Sequence, residues 1–402
     1  MIINQTHFIN SSDDIELNIK RENKLEYSIS YDDNKEMKAI VCIIPGFGED
    51  TQSDYKKHLA QSICEAYDVV VLSVEYHCIG SRLNNGARIV FNDIDKFVLE
   101  HSCKVFNIEQ NFNDFSYDDL KYIDGQLSKQ KAVGKIQDQL KMQLSATFKP
   151  SKNEYQNFGI IQAIDIINAI LHTKKYYKMG GGIPVVLIGS SHGGYLANLC
   201  AKICPWIVDG VIDNSSYALT PLVYLGFSKE IDYTKYYEFH LRYSHNIDLF
   251  IFTKSFWTSN QYSPFYFSNA RKFIRDICNY EHLKLQANYK KIPYICYHSI
   301  YDMIAPFKDK EELYKALDNL GFKACLHKIA SQDQIDGRLI KNLDHGLGMS
   351  IKTLIKKHLM QILEEISQND VYEKEISYKS DDLVYTFKEQ NNQILLNIEK
   401  TR

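Results

Sequence analysis

Residues 184–194, Pro-Val-Val-Leu-Ile-Gly-Ser-Ser-His-Gly-Gly, restrict this chain more than any other stretch. A short apolar run ends in a Gly-x-Ser-x-Gly pentapeptide, and a helix-compatible segment follows at once. Strand, sharp turn and helix form the context that exposes a serine hydroxyl at the top of a sheet. The turn is too tight for side chains at Gly189 and Gly193, which would crowd the strand or the adjoining helix. Ser191 is therefore the candidate nucleophile. A serine hydroxyl attacks poorly unaided, so the chain must also supply a base, an orienting acid and an oxyanion site.

The surrounding pattern predicts a parallel sheet. Lys38 to Ile44 is an apolar run closed by Pro45-Gly-Phe-Gly48, and Asp68 to Tyr76 is a second buried strand. Helix potential between them, from Ser53 to Ala66, completes a βαβ unit. Leu25 to Tyr31 alternates like an antiparallel strand. Residues 78–150 break the rhythm. Val133, Ile136, Leu140 and Leu144 stand at helical spacing there, and the stretch reads as a helical excursion. Ser151-Lys-Asn-Glu154 matches a capping box, predicted to open a helix that carries Ile160, Ile164, Ile167 and Leu171 and ends at Gly180-Gly-Gly182. After Ser191 a helix runs to about Cys204, and Ile207 to Ile212 is the next strand. Residues 217–290 form a second excursion, dense in Tyr and Phe. Strand 292–297, a helix from Lys308 to Leu320 closed by Gly321, strand 324–329 and a last helix from about Ile351 resume the pattern. The tail, 371–402, alternates like a hairpin with Asn391-Asn392 at its turn.

Nucleophile, acid, base is the chain order this arrangement uses. Asp302 follows strand 292–297 on a loop before a helix, the sheet edge where such folds place their sites. Asp213, at the end of the preceding strand, is the second candidate acid. His345, in Leu343-Asp-His-Gly-Leu-Gly348, sits in a glycine-flanked loop beyond the last strand and before the final helix, and is the candidate base. His298 precedes the acid and reads as structural or supporting. The oxyanion site needs two backbone donors. The N–H of His192, next to the nucleophile, is one, and the N–H of Phe47, with Gly48 close behind, is the other.

With these residues in place, the chain resembles the α/β-hydrolase superfamily over about 36–77, 155–216 and 290–367. Gly189-Ser-Ser-His-Gly-Gly-Tyr195 and His298-x-x-x-Asp302-x-x-x-Pro306 look like the catalytic domain of prolyl-oligopeptidase and dienelactone-hydrolase relatives. Ser299 stands where a glycine is common, and Asp344 where a glycine often precedes the histidine. The β-propeller of the large peptidases is absent from this sequence. The resemblance implies an α/β fold with an eight-stranded, mostly parallel sheet, helices on both faces, and Ser191, Asp302 and His345 as triad. The expected organisation is a hydrolase core at 1–77, 155–216 and 290–367. A helical insertion occupies 78–154, an aromatic-rich cap insertion 217–289, and a C-terminal β extension 368–402.

Composition narrows the partners. A formal charge of −3 over 402 residues offers no electrostatic case for nucleic acid or an anionic membrane. No apolar run approaches the roughly 18 residues a bilayer span requires. No secretory signal is visible at Met1-Ile-Ile-Asn-Gln, and the nine cysteines form no CxxC pair, so neither a zinc knuckle nor a redox motif is supported; the expectation is a site with no metal and no other cofactor. A reducing cytoplasm is the simplest compartment. The expected activity is a serine esterase or deacylase acting on a small acyl ester, O-acylated sugars among the substrates. A peptidase and an acyltransferase use the same triad, and a non-catalytic binding protein on the same scaffold is the alternative of a different class.

Overall fold

The structure, a computed structural model, describes residues 1–49, 54–179, 182–366 and 373–401. Ser53, Gly180, Gly181 and residues 368–372 of the expected β extension lie outside the described residues. The first four strands are β1 (Ile2–Ile9), β2 (Leu25–Asp32), β3 (Ala39–Ile44) and β4 (Val69–Glu75). Next come β5 (Arg88–Val90), β6 (Met142–Lys149), β7 (Val185–Ser190) and β8 (Gly210–Asn214). β9 (Phe239–Arg242) and β10 (Ile247–Thr253) lead to β11 (Pro293–Ser299) and β12 (Lys323–Ile329). β13 (Glu375–Ser380), β14 (Leu383–Gln390) and β15 (Gln393–Lys400) close the chain.

The chain divides into two compact units. The first comprises Met1–Ile79, Gly159–Thr220 and Ser268–Arg402. Its main sheet has eight strands in the order β1-β2-β4-β3-β7-β8-β11-β12. β1, β2 and β4 pair antiparallel, and every neighbour from β4 through β3 to β12 is parallel. This is the expected α/β-hydrolase sheet. β3 and the apolar part of β7 are buried along their whole length, because a central parallel strand is covered on both faces. Val41, Val186, Ile188, Ile212 and Ile295 pack on one side against Leu354, Leu359 and Ile362 of the helix Ile351–Glu365. The C-terminal ends of β3, β7 and β11 open onto the loops that carry Phe47, Ser191 and Asp302. The expected hairpin is β14 with β15, turned at Asn391 (φ 53°) and Asn392 (φ 61°), and β13 adds a third strand. Glu16 fastens this tail to the core, since its carboxylate pairs with Arg275 and accepts the Tyr385 hydroxyl at 3.0 Å.

Two helical expectations are corrected here. The helix Leu120–Ala132 stops before Gly134 (φ 71°), and Leu144 lies in a strand rather than on the predicted helical face. Ser151 opens only a single turn, with Lys152 and Asn153 in the left-handed region (φ 56° and 55°). The long helix starts instead at Ile160 after Gly159, which has φ 107°.

The second unit comprises Gly80–Phe158 and Pro221–Phe267, so the two excursions share one fold, and 268–289 fold with the first unit. Its sheet runs β5-β6-β10-β9, with β6 and β10 parallel over seven pairs from Met142–Ile247 to Phe148–Thr253. The helices Asp93–Val105 and Leu120–Ala132 bury Leu99, Cys103, Ile123 and Leu127 with Leu144, Phe148 and Ile251. The excursion at 78–154 is therefore mixed rather than helical. Of the aromatic side chains, Phe250 and Phe252 are buried, whereas Tyr236, Tyr237 and Tyr262 are exposed.

A buried histidine, His282, and a half-buried one, His327, set an acid limit on the first unit. Burial, then the charge of Lys202, pushes His282 down to about 3, although its Nε2–H donates to the Lys379 carbonyl at 2.9 Å. Burial, then His358 and Lys357, pushes His327 down to about 4. The unfolded chain binds these protons from about pH 6.5 downward and the folded chain does not, so acid favours unfolding. Tm is expected to fall steadily between pH 6.5 and pH 4.5 in calorimetry. A flat Tm over that window would contradict this.

Candidate active site

Ser191 stands at the junction of β7 and the helix His192–Ile203, with φ 54° and ψ −124°. A non-glycine residue seldom adopts such a backbone, and it persists only where its surroundings hold it. Here the Ser191 N–H donates to the Asn214 carbonyl on β8 at 2.8 Å, and its own carbonyl accepts from Tyr195 N–H at 3.0 Å. The flanking glycines are required by close approach. A Cβ on Gly189 would lie 2.3 Å from the Gly193 carbonyl carbon, and one on Gly193 would lie 2.1 Å from the Ile44 carbonyl oxygen. Backbone cannot yield as a flexible side chain can, so Gly193→Ala is expected to cost about 1–3 kcal/mol in urea unfolding. Unchanged stability would contradict the close packing of this turn against β3.

The structure brings Ser191, His345 and Asp302 together. His345 Nδ1–H donates to Asp302 Oδ2 at 2.8 Å, and His345 Nε2 accepts the Ser191 hydroxyl at 2.7 Å. The Asp302 side chain is wholly buried, and the His345 side chain retains 19% exposure. Burial opposes charge on Asp302. The hydrogen bond from His345, the N–H groups of Ala305 and Ile304 and the charge of His345 outweigh it and hold the carboxyl below its ordinary range. Both N–H groups reach Oδ1 at 2.9 Å, leaving Oδ2 to the imidazole. The His345 loop turns through Gly346 (φ 78°) and Leu347 (φ 57°), and Leu347 is wholly buried and anchors it in the core. Asn214 Nδ2 holds the same loop by donating to the Gly346 carbonyl at 2.9 Å.

Asp213 is not with them. Its carboxylate pairs with Lys310 at 2.7 Å, both side chains being wholly buried. It also accepts from Ser216 Oγ at 2.6 Å and Asn198 Nδ2 at 3.1 Å. Asp302 is thus the carboxylate on the imidazole, and Asp213 belongs to an ion pair inside the fold. His192 is also buried. Its Nε2 bonds Gln162 Oε1 at 2.9 Å, and its ring packs among Phe47, Tyr76, Tyr195 and Tyr217. The Phe47 and His192 rings meet edge-on with centroids 5.4 Å apart, so the loop after β3 lies beside the start of the Ser191 helix. Asn214, Gln162 and Lys310 had no signal in the sequence, because each acts across 30 or more residues of chain. Among the described residues, no group of three His, Cys, Asp or Glu side chains is arranged to hold a metal ion. Among them, too, no helix is long and apolar enough to cross a membrane.

A Ser191 elbow on β7 of this eight-stranded sheet, with an acid after β11 and a histidine beyond β12, defines an α/β-hydrolase fold. Over residues 5–398 the sequence matches the family described as "Protein of unknown function (DUF2920)", and the chain belongs to that family. No curated protein matches it. Among solved structures it is similar to the Pyrococcus horikoshii acylaminoacyl peptidase, at 12% identity and TM-score 0.47 over 92% of this chain and 43% of that one. The chain therefore spans less than half of that peptidase. It is also similar to Est1E from Butyrivibrio proteoclasticus, solved with ferulic acid bound (13% identity, TM-score 0.39, 85% of this chain, 95% of that one). A third is a Pyrobaculum calidifontis esterase (10% identity, TM-score 0.41, 90% of this chain, 83% of that one).

Proposed function

We propose that this protein is a serine hydrolase that cleaves small acyl esters through an acyl-enzyme on Ser191. One observation carries the reading: the unbroken path from Asp302 through His345 to Ser191, at 2.8 and 2.7 Å. Ser191 Oγ attacks the ester carbonyl while His345 Nε2 takes its proton. Asp302 holds the imidazole in the required tautomer and stabilises the imidazolium. The negative oxygen of the tetrahedral intermediate is received by the backbone N–H groups of Phe47 and His192, each worth about 2.7–4 kcal/mol to the transition state. His345 then returns its proton to the departing alkoxide. Water, deprotonated by the same imidazole, releases the acid and frees Ser191. An ester suits this machinery best, because an alkoxide leaves more readily than an amide nitrogen and its carbonyl is more electrophilic. The substrate is a small acyl compound, O-acylated sugars included, and no cofactor takes part in any of these steps. A cytoplasmic setting fits buried, unpaired thiols such as Cys42, Cys64 and Cys200.

A panel of p-nitrophenyl esters, acetylated sugars, thioesters and peptide anilides tests this, with added alcohol as a competing acceptor. Esters are expected to turn over fastest, with free acid as the product. Faster cleavage of the anilides favours a peptidase, and transfer to the alcohol in preference to water favours an acyltransferase.

A further inference from the structure

We propose that His298 and Ser299, the last two residues of β11, are positioning residues that hold Asp302 and His345 in register. The inference rests on the triad reading above. Neighbouring residues of a strand project to opposite faces, so these two side chains grip different parts of the site.

His298 grips the acid turn. Its Nε2–H donates to the Ala305 carbonyl at 2.7 Å, and the N–H of the same Ala305 donates to Asp302 Oδ1 at 2.9 Å. Residue Ala305 is thus clamped at both ends, with the carboxylate between it and the imidazole. The His298 ring is wholly buried and lies edge-on to Phe307, centroids 5.9 Å apart. Burial, then the charge of Lys310, lowers its pKa and so favours the neutral ring, which steadies Asp302 through the Ala305 carbonyl. The distance from His298 Nε2 to Asp302 Oδ2, 3.5 Å, leaves that oxygen to His345 at 2.8 Å.

Ser299 grips both loops at once. Its hydroxyl donates to the Leu343 carbonyl at 2.5 Å and accepts the Tyr301 N–H at 3.1 Å. Tyr301 adjoins Asp302, and Leu343 lies two residues before His345. One buried oxygen therefore spans the acid turn and the base loop. A glycine at this position has no side-chain atom to make that bridge, so the Ser299 hydroxyl ties the acid turn to the base loop.

The test compares wild type with Ser299→Gly, Ser299→Thr, His298→Leu and His298→Gln. The readouts are kcat, KM, the rate of fluorophosphonate labelling, the downfield proton signal of His345 Nδ1–H, and Tm. Misplacement of reacting groups by about 1 Å can cost roughly 100-fold. Ser299→Gly is expected to lower kcat and labelling rate about tenfold with KM held within about twofold, and Ser299→Thr to restore most of both. His298→Leu is expected to lose about 100-fold, and His298→Gln, whose amide reaches the same carbonyl, to regain most of it. Both losing variants should shift or broaden the downfield signal. If His298→Leu does not fold, the Ser299 pair alone decides. Wild type that labels at Ser191, with Ser299→Gly equally fast and its downfield signal unmoved, overturns the proposal alone. Wild type that does not label overturns the triad reading and the proposal with it.

Discussion

Asp302→Asn is expected to lower kcat by about 10⁴-fold while leaving the fold intact. The asparagine keeps an oxygen for the N–H groups of Ile304 and Ala305, which hold the turn at 2.9 Å. What it loses is the acceptor for His345 Nδ1–H. An amide N–H in that place donates to Nδ1, so the proton moves to Nε2, the atom that must accept from Ser191. The imidazole then has the wrong tautomer, and the imidazolium of the transition state has no carboxylate beside it. Because the folded-state pKa of Asp302 lies below its ordinary value, its pairing with His345 is complete at neutral pH and is lost only as pH falls through that lowered value. Kinetics on the best ester, with circular dichroism as control, check this. A loss below tenfold would place the orienting charge elsewhere.

Lys310→Met is expected to destabilise the protein by about 3–5 kcal/mol, since it leaves the Asp213 carboxylate buried without its cation. Ser216 and Asn198 still donate to that carboxylate, but neither neutralises it. The double variant Asp213→Asn with Lys310→Met is expected to recover much of the loss, because a neutral pair has no uncompensated charge. Urea unfolding of the single and double variants measures both effects. A loss of under about 1 kcal/mol for Lys310→Met would show that the pair is not held in a dry interior. Asp213→Asn alone is expected to affect stability and to spare turnover, the reverse of Asp302→Asn.

The candidate site was legible because its signals are local. A tight turn demanded Gly189 and Gly193, and Asp302 and His345 each follow a strand whose apolar run ends in plain view. Position ranks Asp302 ahead of Asp213 but does not exclude the latter, since both lie at the C-terminal ends of parallel strands. The choice is decided by His345, whose Nδ1–H reaches Asp302, while Asp213 is taken up by Lys310, 97 residues further along the chain, which no spacing rule connects to it. The sheet of the second unit is hidden from the sequence for a similar reason. Leu140 and Leu144 are four apart, which suits a helix and a strand alike, and the β6–β10 pairing that settles the matter joins Met142 to Ile247. Ser151 and Glu154 matched a cap, but the backbone at Lys152 and Asn153 turns left-handed and ends the segment. Ser299 showed only as a departure from a familiar pattern. Its contact with Leu343 spans 44 residues and gives that departure a physical role.

The most direct measurement is the mass of the protein after reaction with a fluorophosphonate, followed by peptide mapping, in wild type and Ser191→Ala. Wild type is expected to gain one adduct, on the peptide carrying Ser191, and Ser191→Ala none. An adduct that persists in Ser191→Ala, or maps to another residue, would contradict the assignment of Ser191 as nucleophile.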